Sequence, residues 1–219
     1  MVADGMSLID ISVPVSPASP WWPGDTPFSC GWTWDMAAGD SVNVSTITSS
    51  PHVGTHADAP LHVRPGTPGA DALPLSAFYG VAVVVDVSDL TGVIDDGVLA
   101  DRVRAAVGSG NAGIQRLLLK TGRSVASGTF PDQWPVLTAG TVTRLVDQGL
   151  QLLGVDSPSV DDRESKTLAV HHALFDHGAY VLENLDLRTV TPGVYELIAF
   201  PTKLVDLDAA PVRAVLRTL

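Results

Sequence analysis

The sequence predicts an α/β fold, a single mixed β/α domain over residues 1–219. Three observations carry that expectation: seven short β-branched or apolar runs, three stretches of helical spacing set among them, and no repeat, low-complexity segment or linker long enough to divide the chain. A chain of 219 residues suits one domain with a sizeable core and would be cramped as two. In chain order, a strand is expected at Leu8–Val13, stopped by Pro14, and the Pro- and Ser-rich stretch from Pro14 to Pro27 is expected as a loop. Strands follow at Val42–Thr48 and Val81–Val87, then a helix over Asp96–Val107 and a strand over Ile114–Lys120. A second helix is expected at Thr141–Gln148, where Val142, Leu145 and Val146 share a face, and a strand at Leu150–Val155. The third helix is expected over Glu164–His177, ended by Gly178 as a C-terminal stop, and strands at Ala179–Leu182 and Tyr195–Phe200 complete the series. Strands outnumber helices.

Composition excludes several classes of function. A formal net charge of −11 repels a phosphate backbone or an anionic membrane, and no basic patch offsets it: Lys120, Lys166 and Lys203 stand alone. Only 17% of the residues are charged, below the roughly 25% of an average domain, which suggests a surface partly covered by a second copy of the chain. Mean hydropathy is +0.24, yet every long apolar run is cut by a charge well short of the roughly 20 residues a spanning helix needs. Met1 to Asp10 holds no Lys or Arg and so lacks the positive start of a secretory signal, and a soluble, cytoplasmic protein is expected. The single cysteine, Cys30, agrees with a reducing compartment and removes any cysteine-based metal or redox cluster. Metal chemistry must then use His and carboxylate.

The six histidines fall in two windows, His52, His56 and His62 in one and His171, His172 and His177 in the other. Metal ligation is the commonest cause of such clustering, with helix-capping histidines as the plain alternative. In the first window Pro51, Gly54 and Pro60 oppose a helix, so the chain should be extended, with alternate residues facing one way. His52, His56, Asp58 and His62 all stand at even positions. His56 and Asp58 would then lie roughly 6 to 7 Å apart at the backbone on one face, close enough to share an ion. His52 and His62 require the chain to bend, and Gly54 and Pro60 can bend it. A polar edge strand with solvated histidines would leave the shared face and the bending residues as coincidences.

In the second window Leu168, His171 and Phe175 share a buried helical stripe, although His172 can claim nearly the same stripe, and periodicity does not choose between them. Glu183 follows among apolar residues, with no basic residue nearby until Arg188, and a cation would remove the cost of burying it. His52, His56, Asp58, one of His171 and His172, and Glu183 make five candidate ligands, more than one catalytic zinc uses. Two ions sharing a carboxylate would use them all, and such a pair suits hydrolysis. His62 is left as a free imidazole suited to proton transfer. A non-catalytic metal-binding protein is the rival, and it predicts a closed ligand sphere with no role for His62.

Other signals carry less. Gly108-Ser-Gly110-Asn-Ala-Gly113 fits a dinucleotide pattern but follows a helix and precedes a strand, the reverse of the required order, and is expected as a loop. No nucleophile elbow, zincin motif or P-loop is present. Trp21 and Trp22, before Pro23-Gly24-Asp25, form an aromatic turn, and Trp22 is read either as packing or as a wall that stacks on a flat substrate.

The pattern His52-x-Gly54-Thr55-His56-x-Asp58-x-Pro60-x-His62 resembles the signature of the metal-dependent cyclase-like hydrolase family. Further stretches resemble its formamidase branch: Trp22-Pro-Gly-Asp25, Gly154 to Ser159, Glu164-Ser-Lys-Thr167, His171-His172, Leu182-Glu183, Tyr195 to Pro201 and Asp208 to Leu216. The resemblance implies a swivelling β/β/α domain, a homodimer and two zinc ions per chain, with manganese used by some relatives. It implies His171 rather than His172 as the ligand, because the family's twelve-residue step from helix His to strand Glu is met by His171 and Glu183. The implied reaction is hydrolysis of N-formyl-L-kynurenine to formate and L-kynurenine in tryptophan catabolism, with cyclic amides such as isatin as the alternative substrates.

Overall fold

A computed structural model describes residues 7–108 and 113–219. Met1–Met6 of the stretch read for a leader, and residues 109–112 of the glycine pattern, lie outside the described residues. The centre of the fold is a seven-stranded mixed sheet. One half is parallel: β5 (Tyr79–Asp86), β6 (Arg116–Lys120), β7 (Leu152–Val155) and β8 (Tyr180–Leu182) lie side by side, joined through α1 (Asp96–Val107), α2 (Ala139–Asp147) and α3 (Ala169–Asp176). The other half is antiparallel, running from β5 to β9 (Gly193–Ile198), β11 (Val215–Thr218) and β1 (Leu8–Asp10).

Parallel strands are buried on both faces and read as continuous apolar runs, and the side-chain alternation here feeds two cores. Val83, Val85, Leu117, Leu119 and Leu153 pack with Leu99, Val142 and Leu174 of the helices. Val84, Leu118, Leu152, Leu182 and Leu197 face the other way, onto Ala57, Ala59 and Ala210. Those alanines belong to or adjoin a short antiparallel pair, β4 (His56–Asp58) with β10 (Ala209–Pro211). The layers are therefore β4–β10, the large sheet and the helices, in agreement with the β/β/α expectation. A separate antiparallel ribbon, β2 (Ser29–Trp34) with β3 (Val44–Thr48), is exposed along its whole length.

The expected helix at Asp96–Val107 is found with those bounds, capped by the Asp95 side chain on the backbone N–H groups of Gly97 and Val98. The expected helix over Glu164–His177 is a correction. It starts only at Ala169, because Leu168 adopts a left-handed conformation (φ 45°). The physical reason is a cap from outside the segment. Asp161 accepts hydrogen bonds from the backbone N–H groups of Val170 (2.9 Å) and His171 (3.1 Å), which pins the first turn there. Residues 164–168 are released to form a turn. Gly178 ends the helix as expected, at φ +75°. Ser29–Trp34, with its Ser, Cys and Gly, and the late strands β10 and β11 were not expected from the sequence. No helix among the described residues is long and apolar enough to cross a membrane.

Candidate metal centre

Strand β4 is three residues long but firmly held. It pairs with β10 on one side, and on the other His56 exchanges backbone hydrogen bonds with Glu183, just past the end of β8 (3.3 and 3.0 Å). Ala57 and Ala59 point into the core, so His56 and Asp58 point the opposite way. The chain bends where the sequence suggested. Gly54 lies at φ +77°, and a Cβ there would run into the Val15 side chain. Beyond Asp58 a 3₁₀ turn over Pro60–His62 brings His62 back beside the strand.

The five candidate ligands and His62 converge. Asp58, 1% exposed, stands in the middle, and its two oxygens face different partners. Oδ1 is 3.0 Å from His52 Nδ1 and 3.2 Å from His56 Nε2, whereas Oδ2 is 3.1 Å from His171 Nε2. Glu183 completes the ring, with Oε1 3.3 Å from His171 Nε2 and Oε2 3.5 Å from His56 Nε2. His62 is at the rim, with Nε2 4.0 Å from Asp58 Oδ2 and Nδ1 3.5 Å from Asp208 Oδ2. His171, not His172, is the buried histidine of α3 that enters the cluster; His172 faces Arg64, and His177 Nδ1 donates to the Ala173 carbonyl.

Each central imidazole is held through its outward nitrogen. His56 Nδ1 donates to the Gly54 carbonyl (2.9 Å), His171 Nδ1 to Asp161 Oδ2 (2.7 Å) and His52 Nε2 to Asp208 Oδ2 (2.9 Å). In that neutral tautomer the inward nitrogens, His56 Nε2, His171 Nε2 and His52 Nδ1, present their lone pairs toward the centre, the usual arrangement of metal-ligating histidines. Asp58 Oδ1 gives an independent indication. It is fully buried with two imidazole nitrogens close by, yet it makes no hydrogen bond of acceptable geometry. A buried carboxylate oxygen left in this way is costly unless a cation takes it up. The donor set of imidazole and carboxylate suits zinc, and ligand atoms of His52, His56 and Asp58 all lie within 4.8 Å of one another. The residues fit a metal.

The same packing shapes the electrostatics. Burial alone would lower the His52 pKa, but the close Asp58 carboxylate and the hydrogen bond to Asp208 outweigh it and raise it to about 10. His56 is likewise raised to about 9, against its burial, chiefly by Asp58, and His171 is raised well above the usual value through Asp161, Asp58 and Glu183. Asp58 and Glu183 are held below the usual carboxylate range in spite of burial by those same imidazoles. Without an ion, therefore, protons hold the cluster together.

A pocket of about 340 Å³ opens onto the cluster, lined by His52, His56, His62, His171 and Glu183 on one part and by Trp21, Trp22, Val125, Phe130 and Arg163 on another. Trp22 meets Phe130 edge-on (5.4 Å between centroids) and Trp134 at 6.2 Å. Trp134 in turn donates from Nε1 to the Asp161 carbonyl (2.9 Å), which ties the aromatic wall to the residue that orients His171. Sequence reasoning missed Asp161 as an orienting residue altogether. It touched Asp208 only as a member of a resembling stretch, and Lys166 only there and among the isolated lysines, with no role for either.

Residues 9–162 match the model of the Cyclase family. The chain belongs to the Cyclase family. Among its relatives, a kynurenine formamidase from Bordetella avium (strain 197N) is 43% identical over 212 residues, which is 97% of this chain and 98% of that protein. A kynurenine formamidase from Bacillus mycoides (strain KBAB4) is 41% identical over 211 residues, 96% and 97% of the two chains. Of solved structures, one described as a potential metal-dependent hydrolase with cyclase activity superposes with a TM-score of 0.80 at 25% identity, covering 98% of both chains. Isatin hydrolase A from Labrenzia aggregata superposes at 0.81 with 21% identity, over 97% of this chain and 94% of that one, and shares the Cyclase-family fold.

Proposed function

We propose that this Cyclase-family hydrolase is a kynurenine formamidase that converts N-formyl-L-kynurenine and water to formate and L-kynurenine in tryptophan catabolism, with two zinc ions per chain. The observation that carries the reading is the division of Asp58: one oxygen faces His52 and His56, and the other faces His171, beside Glu183. A carboxylate shared by two ions needs that arrangement, and five ligands for two ions leave coordination positions open. The formamidases of Bordetella and Bacillus, similar over nearly their whole length, support the substrate. When bound, the ions would lower the pKa of a water and polarise the formyl carbonyl.

The chain's own residues supply the rest. Trp22, with Phe130 behind it, forms a flat wall for the aniline ring. His62 is steadied through Nδ1 by Asp208 and moves a proton at Nε2 to the departing aniline nitrogen. Its side chain is 28% exposed, so it can exchange that proton with solvent.

The experiment is His62→Ala. The variant should keep its metal and its fold while kcat falls roughly 10² to 10⁴-fold, with a smaller loss on a formanilide whose electron-poor ring leaves without help from a proton. A variant that loses zinc as well would make His62 a ligand, and unchanged kcat on both substrates would remove the acid from the mechanism. Assaying the wild type on N-formyl-L-kynurenine and on isatin in parallel tests the substrate itself.

The protein acts as a homodimer in this reading, through the β2–β3 ribbon. A two-stranded hairpin is marginal in water by itself, and here all eleven residues are exposed, Trp32 and Ile47 by more than 60%. Cys30, paired with Ile47 across the ribbon, and Trp32 extend one apolar face. Light scattering should give a dimer, and Trp32→Glu should shift it toward monomer; a monomeric wild type overturns this part of the reading.

A further inference from the structure

The metal cluster and the aromatic wall account for a formanilide but not for the amino-acid end of a kynurenine. Two cations line the same pocket, Arg163 and Lys166. Arg163 is already committed: Nη1 donates to Asp132 Oδ1 at 2.7 Å, and the guanidinium lies over the Phe130 ring at 5.6 Å. Lys166 is exposed at the pocket wall, and it has no hydrogen-bond or ion-pair partner among the described residues. It stands on the turn created by the late start of α3, five residues before His171. In a chain of net charge −11, an unpaired ammonium on the wall of the pocket is where an incoming carboxylate would be held.

The opposite charge is present too. Asp25 lines the pocket, in the turn closed by the bond from its own N–H to the Trp22 carbonyl (3.0 Å). Its Oδ1 accepts from the Thr26 N–H (2.6 Å), and no basic side chain pairs with it among the described residues. One uncommitted ammonium and one carboxylate without a cation, in a cavity of about 340 Å³, match a small zwitterion that carries a single ring.

The geometry points to Lys166 as the residue that reads the α-carboxylate of an amino-acid-bearing formamide, with Asp25 receiving its α-ammonium, so that the pocket prefers zwitterionic over neutral aryl formamides. This rests on the formamidase reading. Neither residue takes part in the bond cleavage; both act on KM.

The test uses the zinc-loaded full chain and three substrates that share the formanilide. N-formyl-L-kynurenine has both charges, N-formylkynuramine lacks the carboxylate, and 2-formamidoacetophenone lacks both. Lys166→Met should raise the KM for N-formyl-L-kynurenine relative to that for 2-formamidoacetophenone roughly tenfold, the usual size of a lost charge-assisted hydrogen bond, with kcat held. Lys166→Arg should restore most of it, and the ratio for N-formylkynuramine should not move. Asp25→Asn should raise the KM for the two amine-bearing substrates relative to the neutral one. Raised salt should mimic Lys166→Met on N-formyl-L-kynurenine, because the attraction is screened. A KM change shared equally by all three substrates would make these residues wall packing and overturn the inference. So would a wild type that hydrolyses all three with the same KM, and in both cases the formamidase reading would stand. A wild type that hydrolyses none of them overturns that reading, and this inference with it.

Discussion

Asp161→Asn is the most discriminating perturbation of the metal centre, because Asp161 holds His171 without belonging to the candidate ligand set. Its Oδ2 accepts from His171 Nδ1 at 2.7 Å and from the His171 backbone N–H at 3.1 Å, while Oδ1 accepts from the Val170 N–H at 2.9 Å. An asparagine keeps one oxygen, enough to retain the bond to Val170, but sets an amide NH₂ against two donors. The charge-assisted bond to the imidazole is lost, and with it the fixed tautomer that leaves His171 Nε2 as a lone pair. Removing the partner of a ligating histidine usually weakens metal binding about 10- to 100-fold, or roughly 1.4 to 2.7 kcal/mol. The loss should fall on the ion that Asp58, His171 and Glu183 would hold, so chelator competition should show one weakened zinc of two. Loss of half of the helix cap should also lower the stability of the metal-free protein by about 1 kcal/mol. Asp161→Ala, with no cap at all, should lower it further. Zinc affinity equal to wild type in Asp161→Asn, with only the melting temperature reduced, would make Asp161 a helix cap and nothing more, and would refute the role assigned to His171.

Asp58→Asn and His56→Ala should each strip metal and activity together, read by elemental analysis after dialysis, and about two zinc ions per wild-type chain are expected; wild-type activity in either variant would remove the site from β4. Trp22→Ala should raise the KM of an aromatic formamide by the order of 1 kcal/mol that an aromatic contact contributes, and an equal loss on an aliphatic formamide would show that Trp22, packed on Phe130 and Trp134, only supports the fold. In the metal-free protein the raised pKa values of His52 (about 10) and His56 (about 9) stabilise fully below the unfolded value of 6.5 and are lost as pH rises through 9 to 10. The lowered Asp58 and Glu183 stabilise above the ordinary carboxylate range and are lost as pH falls through their folded values. Its melting temperature should therefore fall between pH 6.5 and pH 10, and zinc uptake at pH 7 should release protons, measured by calorimetry in buffers of different ionisation enthalpy; uptake without proton release would contradict the charge-paired cluster.

The candidate ligands on β4 were legible because one local rule placed them. In His56-Ala57-Asp58-Ala59 the period of a strand separates two polar side chains that face the cluster from two alanines that face the apolar core, and Gly54 and Pro60 mark the bends that bring His52 and His62 around. The strands of the parallel half were legible for a similar reason, since burial on both faces makes them continuous apolar runs. What escaped was set by contacts across the chain. Asp208 meets His52 over 156 residues of separation, and Asp161 acts on a helix that begins eight residues later, so neither leaves a periodic trace. The same long-range cap explains the late start of α3: helical spacing continues back to Glu164, but the first turn begins where Asp161 accepts its N–H groups.

That displacement links fold to specificity. Had α3 begun at Glu164, residues 164–168 would have been wound into the helix, and Ser165, Lys166 and Leu168 could not line the pocket as they do. One carboxylate thus sets three things at once: the orientation of His171, the start of α3 and the turn that carries Lys166. Together with the crossing of β4 by the chain just beyond β8, which sets His56 beside Glu183, it gathers the candidate ligands from three segments at the carboxyl ends of β7 and β8. That end of a parallel sheet is where open α/β folds bind their ligands. The placement follows from the topology, whereas the chemistry follows from the side chains that the topology brings there.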